Sequence, residues 1–130
     1  MTNLAYFEGN IVPIDQAKVS ITCNTLHYGT GCFGGLRAYW NEDREQLYAF
    51  RLADHYKRFL NSTKLLRCRL DYTIDQLVEI TLELLARENW RQNCYIRSNK
   101  TKRLKSCRLQ TIFIKKPSNY FVIVPTKIGV

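Results

Sequence analysis

Between His27 and Trp40 the chain reads HYGTGCFGGLRAYW. Four glycines fall within seven residues there, Gly29 to Gly35, interleaved with Tyr28, Phe33 and Arg37. Glycine lets a backbone approach a ligand closely. Aromatic side chains can wall an apolar pocket, and an arginine fork can grip a carboxylate or phosphate. The same composition also describes a glycine-rich turn leading into a strand whose aromatics lie in a core, and composition alone favours that plainer account. A phosphate loop, G-x-x-x-x-G-K-[ST], is absent, and no G-x-G-x-x-G pattern follows a predicted strand. Cysteine chemistry is not indicated either. Cys23, Cys32, Cys68, Cys94 and Cys107 are odd in number and lack C-x-x-C spacing, and neither His27 nor His55 shares ligand spacing with them. That pattern predicts reduced thiols, with no disulfide scaffold and no metal site.

The elements that must position these residues follow from periodicity. Ala5–Phe7 and Ile11–Pro13 flank Glu8-Gly9-Asn10 and read as a hairpin. Residues 19–33 give no clean period. Leu36–Trp40, a polar turn at 41–44 and Gln46–Phe50 read as a second hairpin. Leu52, Tyr56, Phe59, Leu60, Thr63 and Leu66 then recur at three and four, which predicts an amphipathic helix over 52–66. Thr73 and Gln76 form a capping-box signature, followed by an apolar face at Leu77, Val78, Thr81, Leu84 and Leu85, so a second helix is predicted over 73–89. Asn93–Arg97 reads as a strand. The order argues for an α+β fold: a mostly antiparallel sheet with two helices on one face.

The 130 residues suit one domain with a substantial core. A hydrophobic fraction of 45% and a charged fraction of 24% exclude wholesale disorder. No apolar run approaches the roughly 20 residues of a membrane span, and Met1–Glu8 lacks the basic-then-apolar pattern of a secretory signal, so the expected address is cytoplasmic. The net charge of +9 is unevenly placed: +1 over residues 1–97 and +8 over 98–130, a stretch without any acid. Leu109–Ile114 and Tyr120–Val124 within that stretch are strand-like and could complete the sheet.

The string from Leu26 to Thr30, with Phe33 and then Gly35 to Tyr39, closely resembles the signature region of branched-chain amino-acid aminotransferases, pyridoxal-phosphate enzymes of class IV and fold type IV. Ala5–Gly9, Phe50–Phe59 and Tyr95–Arg97 resemble three further family segments in the same order, so the resemblance covers residues 5–97. It implies the family's N-terminal small domain. It implies that Arg58 binds the phosphate of pyridoxal 5'-phosphate. It places Tyr28, Phe33, Gly35 and Arg37 at the substrate side-chain pocket, and it gives Arg97 the side-chain carboxylate of glutamate. Lys57 has no implied role, His55 is a packing residue near the helix start, and Tyr95 is either pocket wall or core. The parent reaction would move an amino group between Leu, Ile or Val and 2-oxoglutarate, in a homo-oligomer.

Two departures stand out. The family usually has Glu where this chain has Gly34, which would remove a carboxylate beside the pocket. At Ser98 the family continues with Pro and later a second domain, which holds the lysine that binds the cofactor covalently. No lysine here stands in that context, so no catalytic residue is assigned. On this basis residues 98–130 read as a divergent tail, frame-changed or truncated, and the chain reads as a fragment of an aminotransferase. The alternatives are a non-catalytic folded remnant or interaction module, and a basic nucleic-acid-binding arm with Tyr120 and Phe121 as stacking residues. The alternation of basic with apolar residues speaks against that arm.

Overall fold

The computed structural model describes residues 3–68, 70–101 and 110–115. Six strands form one sheet, and every neighbouring pair is antiparallel. In chain order they are β1 (Leu4–Phe7), β2 (Asn10–Pro13), β3 (Gly31–Asn41), β4 (Gln46–Ala49), β5 (Cys94–Thr101) and β6 (Gln110–Lys115). Across the sheet they lie β2-β1-β6-β5-β3-β4. The helices are α1 (Asn24–Tyr28), α2 (Leu52–Leu65) and α3 (Ile74–Glu88), with a short 3-10 turn at Ile14–Gln16. Among the described residues no helix is long and apolar enough to cross a membrane.

The α+β architecture read from the sequence is the one observed. Both long helices fall within a residue of their predicted bounds. Their inner faces supply Leu52, Tyr56, Phe59, Leu77, Leu84 and Leu85 to the core. The sheet answers with Tyr6, Leu36, Ala38, Cys94, Ile96 and Ile112. The capping box predicted at the start of α3 is complete: Gln76 N–H donates to Thr73 Oγ1 at 3.2 Å, and Thr73 N–H donates to Gln76 Oε1 at 2.9 Å. Burial of the Tyr56 phenol requires partners, and Thr81 and Ser98 provide them, Ser98 Oγ lying 3.2 Å away.

Three features depart from the sequence expectation. The strand expected at 36–40 begins at Gly31, because its glycines accommodate close neighbours. A Cβ at Gly34 would lie 3.4 Å from Phe59. Position 34 therefore faces the helices, and the Gly34 substitution removes nothing from the opposite face, contrary to the expectation of a lost carboxylate beside a pocket. The strand expected at 93–97 runs on to Thr101, paired with β3 along its whole length. Third, α1 has only five residues, too few for periodicity to reveal, and ends on Gly29 in the left-handed conformation (φ 64°). The strand predicted at 109–114 is present as β6, between β1 and β5, with Ile112 fully buried. The strand predicted at 120–124, with Tyr120 and Phe121, lies outside the described residues.

Two substitutions separate local from global contributions. Thr73→Ala should cost about 0.5–2 kcal/mol through loss of the cap. Leu84→Ala, at a fully buried site, should cost about 2–5 kcal/mol. Urea unfolding of both variants checks the order.

Candidate functional site

A strand sends alternate side chains to opposite faces. In β3 the buried positions are Gly34, Leu36 and Ala38, and in β5 they are Cys94, Ile96, Ser98 and Lys100. The intervening residues, Phe33, Gly35 and Arg37 on β3 and Tyr95, Arg97 and Asn99 on β5, therefore share the face opposite the helices. The register sets them side by side: Phe33 pairs with Asn99, Gly35 with Arg97, and Arg37 with Tyr95. The structure thus brings together four of the six site residues expected from the sequence, namely Phe33, Gly35, Arg37 and Arg97.

The local packing is specific. A Cβ on Gly35 would come within 3.0 Å of the Tyr95 ring, so the absent side chain is what lets Tyr95 lie across the strand. Tyr95 is therefore half-buried on the outer face and not part of the core. The Arg97 guanidinium lies over the Phe33 ring, 3.9 Å from its centroid, a favourable contact between a cation and the negative face of an aromatic. Its Nε–H donates to Asn99 Oδ1 at 3.2 Å. Asn99 was missed because the strand expected from the sequence ended at Arg97; with β5 running to Thr101, Asn99 lies two residues along on the same face as Arg97. Phe33 is 59% exposed, unusual for so large an apolar side chain beside a guanidinium.

The other two expected residues sit elsewhere. Tyr28 ends α1 and is 78% exposed. It is held near the head of β3, where Thr25 Oγ1 donates to Thr30 C=O at 3.2 Å. Arg58 lies on the exposed side of α2. The start of α2 is tied to the outer-face strand by Phe50 N–H, which donates to Arg37 C=O at 3.0 Å. Around this helix start the field is positive. Burial first, then Arg58 and Arg51, hold His55 below its ordinary pKa, with Asp54 opposing. Arg51 is paired with Asp54 at 2.7 Å. No ion pair among the described residues engages Arg37, Arg58 or Arg97. The α2 N-cap makes no side-chain hydrogen bond, leaving first-turn N–H groups open. Such a site suits a phosphate. Two thiols on the sheet are less acidic than an ordinary cysteine: burial, with Glu88 adding, pushes Cys94 up to about 11, and burial also raises Cys32.

No family model matches the chain. Over 95 residues it is 48% identical to a probable branched-chain-amino-acid aminotransferase of Aquifex aeolicus (strain VF5), which is 73% of this chain and 30% of that protein. Over 92 residues it is 34% identical to the branched-chain-amino-acid aminotransferase of Escherichia coli (strain K12), 71% of this chain and 29% of that one. The fold matches the crystal structure of the branched-chain aminotransferase from Thermoproteus uzoniensis with norvaline, with a TM-score of 0.76 and 31% identity, over 88% of this chain and 40% of that one. The chain spans about a third of the length of the curated relatives it matches.

The lowered pKa of His55 has a stability consequence. The folded state resists protonating it, so the stability contributed by neutral His55 is present above pH 6.5 and is lost as pH falls through the depressed value. Stability should therefore decline between pH 7 and pH 5, and His55→Gln should flatten that slope. Arg58→Gln should raise the His55 pKa towards 6.5. Urea midpoints against pH, with NMR titration of the imidazole, check both.

Proposed function

Because this chain belongs to the branched-chain aminotransferase family over the N-terminal part that it matches, we propose that it supplies the substrate-side and phosphate-side contacts of an amino-transfer site. The substrates in this reading are Leu, Ile or Val and 2-oxoglutarate. The carrying observation is the pairing of an apolar aromatic wall with arginines on the sheet's outer face that no ion pair among the described residues engages.

Pyridoxal phosphate is the cofactor of the family. When bound it serves as an electron sink for bond changes at the amino acid's α-carbon. A residue that fits its phosphate is present on α2. Arg58, in the middle of that helix, has no carboxylate partner among the described residues and lies one turn beyond His55, whose protonation is disfavoured first by burial and then by Arg58 and Arg51. Arg58 would hold the phosphate as a permanently charged, planar fork.

The remaining roles belong to the outer face. Phe33 and Tyr95 present apolar surface to a branched aliphatic side chain. Gly35 keeps the floor low beneath Tyr95. Arg97 would receive the distal carboxylate of the dicarboxylic substrate, and Arg37 adds a second cation on the same face. One pocket can then serve both substrates, because an arginine lying on an aromatic ring offers charge at its edge and leaves the neighbouring ring surface apolar. The exposed Val19, Ile21, Leu26 and Tyr28 are surface for burial in an oligomer.

The decisive experiment joins this chain to the remainder of a relative and follows each half-reaction in single turnovers. Arg97→Ala should slow the glutamate half-reaction at least tenfold and leave the leucine half-reaction nearly unchanged, because only one substrate loses a charged partner. Arg58→Ala should weaken cofactor retention by about one to two decades, the worth of a charge-assisted contact of about 1.5–3 kcal/mol. Equal slowing of both half-reactions by Arg97→Ala would remove the carboxylate role.

A further inference from the structure

The guanidinium of Arg97 has five N–H donors, and the structure shows how they are divided. Nε–H is taken by Asn99 Oδ1 at 3.2 Å. One face of the group is covered by Phe33 at 3.9 Å. Both neighbours come from a single row of the sheet, since Phe33 and Asn99 are direct register partners. Arg97, one row along, therefore leans towards that row, while Tyr95 lies over Gly35. The side edge of the fork, formed by Nε–H and one Nη–H, is closed to a ligand. Among the described residues nothing engages the end edge, with one N–H from each Nη, which suits a two-pronged contact.

The type of residue at 99 matters as much as its place. Asn offers a neutral oxygen, so it orients Arg97 without cancelling its charge. Asp would fill the same position and make the same hydrogen bond, but would neutralise the fork. An aliphatic residue would leave Nε–H to water and the long side chain to its rotamers, at a loss of ordering. We propose that Asn99 is a positioning residue that fixes Arg97 for end-on capture of a carboxylate, with Phe33 as the platform beneath it. This rests on the reading of Arg97 as the receptor of the distal carboxylate of a dicarboxylic amino or oxo acid, and it adds the direction from which that carboxylate arrives.

The full chain can be tested by NMR at the Arg97 Nε–Hε group, with glutarate as the probe. In the wild type, exchange of that proton with water should be at least tenfold slower than in Asn99→Ala. Glutarate should shift the Arg97 side-chain resonances, and its affinity should fall at least fivefold in Asn99→Ala. Asn99→Asp should keep the slow exchange and lose glutarate binding. Asn99→Ser, smaller but strand-compatible, repeats the loss if the alanine variant fails to fold, and backbone resonances of β3 and β5 report the register in each. Unchanged exchange and affinity in Asn99→Ala would overturn the proposal. So would faster exchange with unchanged affinity, because the hydrogen bond would then be idle. Slow exchange in the wild type without any response of Arg97 to saturating glutarate would instead overturn the carboxylate reading of Arg97, and the inference with it.

Discussion

The antiparallel register between β3 and β5 fixes what every other part of the molecule can do. Eight consecutive residue pairs, from Gly31 with Thr101 to Ala38 with Cys94, lock the two strands together. Because side chains alternate, that ladder sorts Leu36, Ala38, Cys94 and Ile96 into the core, and Phe33, Gly35, Arg37, Tyr95, Arg97 and Asn99 onto the open face. A slip of one residue would exchange the two sets. It would carry the Arg97 guanidinium into an apolar layer at a large desolvation cost and lift Ile96, fully buried here, into water. Hydrophobic burial on one side of the sheet therefore enforces the placement of charge on the other. The stability of the fold and the geometry of the site are one constraint.

The helix-facing side is tied together through polar groups as well. Tyr56 is fully buried, and burial raises its phenol pKa while the hydrogen bonds from Ser98 and Thr81 lower it. The group remains a neutral hydroxyl in contact with two others, and Thr81 Oγ1 in turn donates to Leu77 C=O at 2.8 Å. Ser98 is the register partner of Gly34. The strand pair thus meets α2 through a glycine that makes room for Phe59 and a serine that reaches the Tyr56 phenol. A buried polar chain with every member paired ties the two layers in one arrangement, whereas a half-paired one would destabilise both.

How much of this could be read from residues alone depends on the range of the physics involved. The helices were legible because their signals are local: a 3.6-residue apolar stripe from Leu52 to Leu66, and a capping box whose two members are three residues apart. The site face was half legible. Phe33, Gly35, Arg37 and Arg97 were named through the family resemblance and not from composition, and the contact between Arg97 and Phe33 joins residues 64 positions apart and exists only through the register. Asn99 was missed for a different reason: it is two residues from Arg97 on one strand, but the expected strand stopped at 97. The extent of β3 was obscured because glycine is a poor strand former in isolation. Its glycines belong to the strand on account of Phe59 and Tyr95, which come from elsewhere in the chain. Position 34 was misplaced beside the pocket because its neighbour Gly35 is there. In a strand, adjacent residues face opposite ways, and only the phase of the alternation says which.

The arginines give the fold its chemical bias. The ion pairs at Arg51–Asp54 and Arg87–Glu83 are exposed and contribute little, since solvent screens them. Their positions are more informative than their strength. They place carboxylates on the helices, and among the described residues no ion pair engages Arg37 or Arg97 on the sheet's outer face or Arg58 on α2. Clustering cations is unfavourable in the free chain; at His55, whose pKa is depressed first by burial, Arg58 and Arg51 add to the depression. An anion at either place relieves that repulsion and gains charge-assisted hydrogen bonds besides. The hydrogen bond from Phe50 N–H to Arg37 C=O ties the segment that leads into α2 to the strand that carries Arg37.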